Sequence, residues 1–432
     1  MKTLIKNGKT FFDDNFVRKD ILIEDERIIR IAGQITDPAD QVIDATSKIV
    51  TPGFVDIHTH LRDPGQTYKE DIITGTLSAA KGGFTSICAM PNTEPVVDNI
   101  ATVEYIQRRA KDLGYCKVYV IGALSKDLEG KEIAEMATMQ QGGIVAVTDD
   151  GKCIQNAKLM LNCMRYAVNF NLPVISHAED YNLAGKGQIH SGKVATQLGL
   201  SGIPALAEEV IIARDIMLAE SAKAHLHIAH ISTAKSLELV RRAKENGLKV
   251  TCEVTPHHLL LTEEACLTFD TNTKMKPPLR SEADRLACVQ ALADGLIDCI
   301  ATDHAPHADY EKEREFDLAP FGIIGFESAF AVLYQDLVKP GHLTLERLIE
   351  TLTSAPAKLL NLKAGILAEN SPADLCIIDL GDTVLIDSDS ILSKSKNTPW
   401  LGQTLAGKVT HTICGGKITW QAEPAAETNE PT

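Results

Sequence analysis

Eight short runs of apolar and β-branched residues recur through the middle of this 432-residue chain, each leading into a polar cluster and then a helix-like stretch. They read GFVDIHTH (53–60), FTSICAMPN (84–92), KVYVIGAL (117–124), GIVAVTDD (143–150), LPVISHAED (172–180), HLHIAHIST (225–233), KVTCEVTPHH (249–258) and DCIATDHAPH (298–307). The stretches between them, EDIITGTLSAAKGG, IATVEYIQRRAKDLG, AKLMLNCMRYAVNFN, AEEVIIARDIMLAESA and AKSLELVRRAKENG among them, carry apolar residues at three- and four-residue intervals. Several end in Gly or Asn, as helices do. Eight β-α units in succession predict an α/β fold, a TIM-type (β/α)8 barrel over residues 52–360.

The two ends have another character. Residues 1–51 (TLIKNGKTF, DILIEDERIIRIA, VIDATSKIV) and 361–420 (GILAENSPADLCIIDL, VTHTICGGKITW) read as short strands and turns, with Asn7-Gly8 as a turn signal. Together they predict one small β domain built from both chain ends. The last residues, 421–432, are polar and contain proline, so a disordered tail is expected there. No apolar run approaches the roughly 20 residues of a membrane span, and the N-terminus lacks the apolar core of a signal peptide. The ten cysteines are scattered without a C-x-x-C pair and read as buried thiols of a reducing cytoplasm. A net charge of −15 argues against nucleic acid or an anionic membrane as partner. A small anion is still admissible, because a local cluster of Arg, His and metal can override the global sign.

Barrel enzymes carry their chemistry at the carboxyl ends of the strands, and there this chain places its ligand-type residues. The first run ends in His58 and His60, with Arg62 two further on. Residues two apart in a strand share a side, so the three can project together. The fourth run ends in Asp149-Asp150, the fifth carries His177, the sixth His230 and the eighth Asp303. A lone histidine is more often a hydrogen-bonded core residue, and TDDG is also what a turn looks like. Five independent strand ends with such groups point instead to metal. Imidazole and carboxylate suit Zn²⁺, Mn²⁺ or Fe²⁺. Six such groups exceed the protein ligands of one catalytic zinc, so two metals sharing a bridging carboxylate fit the count better.

The stretch PGFVDIHTHLRDPGQTYKEDI (52–72), with MPNT, TDDG, HAED, HIAHIST and ATDHAPH, resembles the dihydroorotases of the amidohydrolase superfamily, in particular the long bacterial type with an aspartate between the metals. The resemblance spans nearly the whole chain. It implies two divalent ions, most simply zinc, one held by His58, His60 and Asp303 and the other by His177 and His230, with Asp150 bridging; Asp149 stays open as the alternative bridge. It further implies that Arg62, Asn92 and His307 bind the ring carboxylate of dihydroorotate, with His60 beside them and Phe321 and Gly322 along the substrate ring. A planar guanidinium pairs bidentately with a carboxylate, which suits Arg62 to that task. Asp303 would be the proton shuttle as the ring opens to N-carbamoyl-L-aspartate, the reverse of the biosynthetic direction.

The pattern breaks at Lys276 in KMKPPLR, where the family usually has a substrate-contacting asparagine. A lysine there either adds a cation to the carboxylate site or points to solvent. His257 and His258 at the seventh strand end are read as structural. The segments YNLAGKGQIHSGKVATQLGLSGIPAL and APHADYEKEREFDLAPFG are expected as loops over the site. Two other readings stand beside the first: another cyclic amidohydrolase (hydantoinase, dihydropyrimidinase or allantoinase), or a non-catalytic scaffold for aspartate transcarbamoylase. The resemblance admits a homodimer and a complex with that transcarbamoylase.

Overall fold

The computed structural model describes residues 1–423. Each of the eight apolar runs forms a strand: β1 (Phe54–Thr59), β2 (Phe84–Ala89), β3 (Lys117–Ala123), β4 (Ala146–Thr148), β5 (Val174–Ser176), β6 (Leu226–Ile228), β7 (Val250–Val254) and β8 (Cys299–Ile300). They pair in sequence order, every pair parallel. The seam between β8 and β1 closes beyond the end of β8. There Thr59 bridges His304 in parallel, and the His60 N–H donates to the His304 carbonyl at 2.8 Å. The Asp56 carboxylate of β1 reinforces the seam by accepting from Thr302 N at 3.2 Å and Thr302 Oγ1 at 2.6 Å.

The helices start where the sequence offers a side-chain acceptor for their free N–H groups. Asp71 forms a capping box for Ile72–Lys81, Asn99 caps Ile100–Leu113, Asn156 caps Ala157–Val168, and Thr233 and Ser281 cap Ala234–Glu245 and Glu282–Ala293. Two apolar layers result. Phe54, Phe84, Phe326 and Phe330 pack between barrel and helices, with ring centroids 5.5–5.6 Å apart. Inside the barrel, Val55, Ile57, Cys88, Ile121, Ala146, Ile175 and Cys299 fill the space, and Ala357 and Leu360 join them from the chain's last helical stretch.

Both chain ends build two further sheets. One is four-stranded, in the order Arg27–Ala32, Asp20–Glu24, Lys2–Lys6, Gln41–Asp44. The other is six-stranded and mixes the ends: Ile49–Pro52 lies between Lys9–Phe12 and Leu375–Leu385. Ile5, Ile21, Ile43, Val50, Leu375, Ile377 and Ile413 make their common core.

Three features differ from the sequence reading. The last strand, Lys417–Gln421, runs one residue into the stretch expected as a tail, and positions 424–432 of that stretch lie outside the described residues. Residues 386–403 form no strand and reach back onto the barrel, where Ser393 bonds Glu70 and Asn397 bonds Ala305. The segment after His177 is more ordered than a loop: it holds helices Tyr181–Ala184 and Lys193–Leu198 and a parallel pair, Ile189–His190 with Gly202–Ile203.

Candidate metal centre and substrate wall

At the carboxyl mouth of the barrel the six ligand-type residues converge. Asp150 lies at the centre: Oδ1 is 3.3 Å from His58 Nε2, 3.5 Å from His177 Nδ1 and 3.9 Å from His230 Nε2, and Oδ2 is 3.3 Å from His60 Nε2. Asp303 Oδ1 stands 3.0 Å from His60 Nε2 and 3.4 Å from His58 Nε2. His177 Nδ1 and His230 Nε2 are 2.9 Å apart. Ligand atoms fall into three overlapping groups, His58–His60–Asp150, His58–His230–Asp303 and Asp150–His177–His230. Asp149 is not among them. Its carboxylate accepts from the N–H groups of Leu124 and Ser125 and from the Ser125 hydroxyl, so it ties down the turn after β3.

Backbone strain helps aim the side chains. Arg62, His230 and Asp303 have φ of 58°, 32° and 48°, a left-handed conformation that non-glycine residues seldom adopt and that collects at functional sites.

The donor set fits a metal. His58 Nε2 and Asp150 Oδ1 are buried and have no hydrogen-bond partner, a costly arrangement unless a cation binds there. Burial pushes the His58 imidazolium down, but the charges of Asp150, Asp303 and Glu253 overcome it and hold the group well above the usual histidine value. The same mutual attraction takes the Asp150 and Asp303 carboxyls well below theirs, against burial. These are the marks of a negative, nitrogen- and oxygen-lined cleft that attracts cations.

The expected substrate residues line one side of this cleft. Arg62 is buried and anchors its Nε on the Pro306 carbonyl at 3.2 Å. Asn92 Oδ1 is 2.8 Å from His60 Nδ1, so Asn92 orients a ligand-type imidazole. His307 Nε2 donates to the Phe321 carbonyl at 2.8 Å while its Nδ1 is buried and unpartnered. Gly322 has φ of 129°, and a Cβ there would meet Ala305 Cβ at 2.8 Å, so only glycine lets this loop pass so close. The Lys276 ammonium is paired with Glu179 at 2.9 Å and lies 4.9 Å from the Phe321 ring centroid.

A family described as Dihydro-orotase-like matches residues 47–236. A dihydroorotase of Bacillus thuringiensis (strain Al Hakam) is 48% identical, over 98% of this chain and 100% of its own length. One of Endomicrobium trichonymphae is 50% identical over 93% of this chain and 95% of its own. The chain belongs to the dihydroorotase family. Among solved structures, an L-hydantoinase of Arthrobacter aurescens superposes with a TM-score of 0.88 at 26% identity, over 96% of this chain and 95% of that one. The dihydroorotase relatives and the hydantoinase fold place the chain among metal-dependent cyclic amidohydrolases.

This dihydroorotase-family site also contains residues that sequence reasoning passed over. Glu253 of β7 sits behind His58, with Oε1 2.5 Å from His58 Nδ1 and Oε2 3.1 Å from His227 Nε2. A glutamate inside an apolar strand was the available signal, since charged residues are rarely buried unpaired. The loop 316–322 is gripped by two buried lysines. Lys274 Nζ donates to the carbonyls of Phe316, Asp317 and Ala319, and Lys312 Nζ to those of Pro320 and Gly322. Asn397 adds bonds to the Ala305 and Gly322 carbonyls. His258 is structural, bonded to Thr255 and to the Pro277 carbonyl. His257 is buried close by, and its Nε2 is unpartnered.

Proposed function

We propose that this chain hydrolyses the cyclic amide of dihydroorotate to N-carbamoyl-L-aspartate and catalyses the reverse ring closure, the third step of de novo pyrimidine biosynthesis. The observation that carries this reading is the convergence of four imidazoles and two carboxylates on one cleft, with the buried Arg62 guanidinium beside them. Two divalent ions, most simply zinc, would be held by His58, His60, Asp150, His177, His230 and Asp303, Asp150 lying between the two groups. Bound metal there supplies Lewis-acid polarisation of a carbonyl and an activated water at neutral pH.

The chain's own residues do the rest. Asp303 is the more open of the two carboxylates, 12% exposed against 3% for Asp150. It accepts the proton of the attacking water and returns it to the leaving amide nitrogen, a base that becomes an acid. Arg62 is rigid at Nε, which leaves its outer nitrogens to pair with the ring carboxylate. Asn92 holds His60 and presents its amide nitrogen to the same carboxylate. His307 stands beside the Phe321–Gly322 loop that lies along the ring. The barrel, residues 52–360, carries every one of these groups.

The hydantoinase-type superposition supports a second reading, a cyclic amide without a carboxylate. A direct assay separates the two: turnover of dihydroorotate, dihydrouracil, hydantoin and allantoin, with metal analysis of the same sample. The expected result is about two ions per chain in loaded protein and preference for dihydroorotate, lost on chelation and restored by divalent metal. Activity in metal-free protein would sink the assignment. A preference for dihydrouracil or hydantoin would transfer it to the second reading.

A further inference from the structure

We propose that Glu253, His227, Thr251 and His225 form a hydrogen-bonded chain that fixes the tautomer of His58 and thereby sets the affinity of the site for metal. The inference rests on the reading of His58 as a ligand.

The links run in one direction. A carboxylate only accepts, so the 2.5 Å contact between Glu253 Oε1 and His58 Nδ1 puts the imidazole proton on Nδ1. In the neutral ring that ligates a metal the lone pair is then on Nε2, the buried and unpartnered nitrogen 3.3 Å from Asp150 and 3.4 Å from Asp303. The second oxygen, Oε2, takes the Nε2–H of His227 at 3.1 Å. That leaves His227 Nδ1 as an acceptor, and it stands 2.9 Å from Thr251 Oγ1, whose hydroxyl donates to it. The Thr251 oxygen in turn accepts from His225 Nε2 at 3.0 Å. Every donor finds one acceptor, and reversing any link would set two lone pairs or two hydrogens face to face.

The chain runs the length of the barrel. His58 lies at the carboxyl mouth. His225 precedes β6 at the amino mouth, where it lines a cavity of about 430 Å³ with Lys223, Lys249 and Asn361. Glu253 and His227 are almost fully buried, at 1% and 0% exposed, beside the apolar cluster that fills the barrel interior. A carboxylate there is unfavourable unless it is hydrogen-bonded and paired. Glu253 is both, since it also accepts from the His230 N–H at 3.3 Å. A carboxylate behind a ligating histidine holds the ring and raises its basicity. Glu253, His227 and Thr251 are therefore positioning residues, because none of them reaches the substrate.

The test is metal affinity, measured by competition with a chromogenic chelator on full-length protein. Glu253→Gln keeps the size but offers one acceptor and one donor, so it can serve one imidazole N–H and not both. Its metal dissociation constant is expected to rise about 10- to 100-fold. The visible spectrum of cobalt-loaded protein should shift, and kcat should fall with KM nearly unchanged. His227→Gln should weaken metal binding by a smaller factor, and the double variant should bind no more weakly than Glu253→Gln alone, because both break one path. Should Glu253→Gln fail to fold, the near-isosteric Thr251→Val and His227→Gln carry the same comparison. Metal binding within twofold of the parent, with an unchanged cobalt spectrum, in folded variants overturns the proposal. His58→Ala separates the two levels. If it leaves metal binding intact, the ligand reading itself fails; if it abolishes binding while Glu253→Gln stays within twofold of the parent, the chain alone fails.

Discussion

On one side of the cleft, His58, His60, Asp150, His177, His230 and Asp303 leave the ends of five strands, and the barrel's own hydrogen bonds hold them. On the other side, the wall from Pro306 to Gly322 contains a single turn of helix, Asp309–Lys312, and borrows its rigidity. Its carbonyl groups are gripped by its own Lys312 and by Lys274 and Asn397, side chains from two other stretches of the chain. The first wall is fixed by the same contacts that make the fold. The second is fixed by a few replaceable side chains. It follows that the chemistry is hard to alter without losing the barrel, whereas the fit to a substrate can change with single residues.

The strongest test of this contrast is Asp303→Asn. If the strand-end wall carries the chemistry, turnover should fall by about 10²–10⁴-fold with the metal still bound and the substrate constant little changed. Near-parent turnover would show that another group shuttles the proton. Next in size is Lys312→Met, which withdraws the donor from the Pro320 carbonyl and one of two from the Gly322 carbonyl. Losing a partner for a buried carbonyl costs about 1–3 kcal/mol. The Michaelis constant for dihydroorotate should rise about tenfold while kcat stays within a few-fold. A collapse of kcat together with metal loss would mean that the two walls are one unit.

Lys276→Met should act more weakly and in an informative way. The lysine pairs with Glu179, a side chain 9% exposed two residues after His177. Its removal leaves that carboxylate unpaired and able to repel an anionic substrate, so the Michaelis constant should rise about three- to tenfold, more at low salt. Adding Glu179→Gln should return it towards the parent value. No recovery in the double variant would show that Lys276 meets the substrate itself.

The smallest effect concerns pH. Burial, helped by the charges of Arg62, Lys69 and Lys312 and opposed by Glu311 3.6 Å away, pushes the His307 imidazolium down to about 4. With its Nε2–H given to Phe321, neutral His307 has no donor left for a carboxylate. If His307 meets the carboxylate as proposed, substrate binding raises its pKa and takes up a proton. The sign follows by linkage: binding favours the protonated form, so the Michaelis constant should be a few-fold lower at pH 5.5 than at 7.5. His307→Asn should flatten that slope, and a slope unchanged in the variant would remove His307 from the carboxylate site.

The same contrast explains what the sequence could reveal. Strand-end histidines and aspartates are legible because an apolar run shows where its strand stops, and the barrel dictates which end is chemical. Asp150 and Asp149 are adjacent, and only the turn around Ser125 decides between them. Lys274 and Lys276 sit two apart in KMKPPLR; the departure from the family pattern is at Lys276, while the fully buried one is Lys274. Asn397 lies in a stretch with no period of either kind. Helices of four and six residues, as in 181–198, are too short to show a 3.6-residue repeat, so that segment looked like a loop. Contacts made by long-range side chains leave no local pattern.

The seam has a consequence of its own. β8 is two residues long, and the barrel closes through Thr59, His60 and His304, inside the very stretch that supplies His60 and Asp303. The closing join of the cylinder and the candidate metal centre are therefore one place. Warming or mild denaturant that parts the join would separate His60 from Asp303 while the other seven strand pairings were intact. Such a catalyst would fall silent before it melts, and its activity would serve as a local thermometer for the one junction that makes the barrel round.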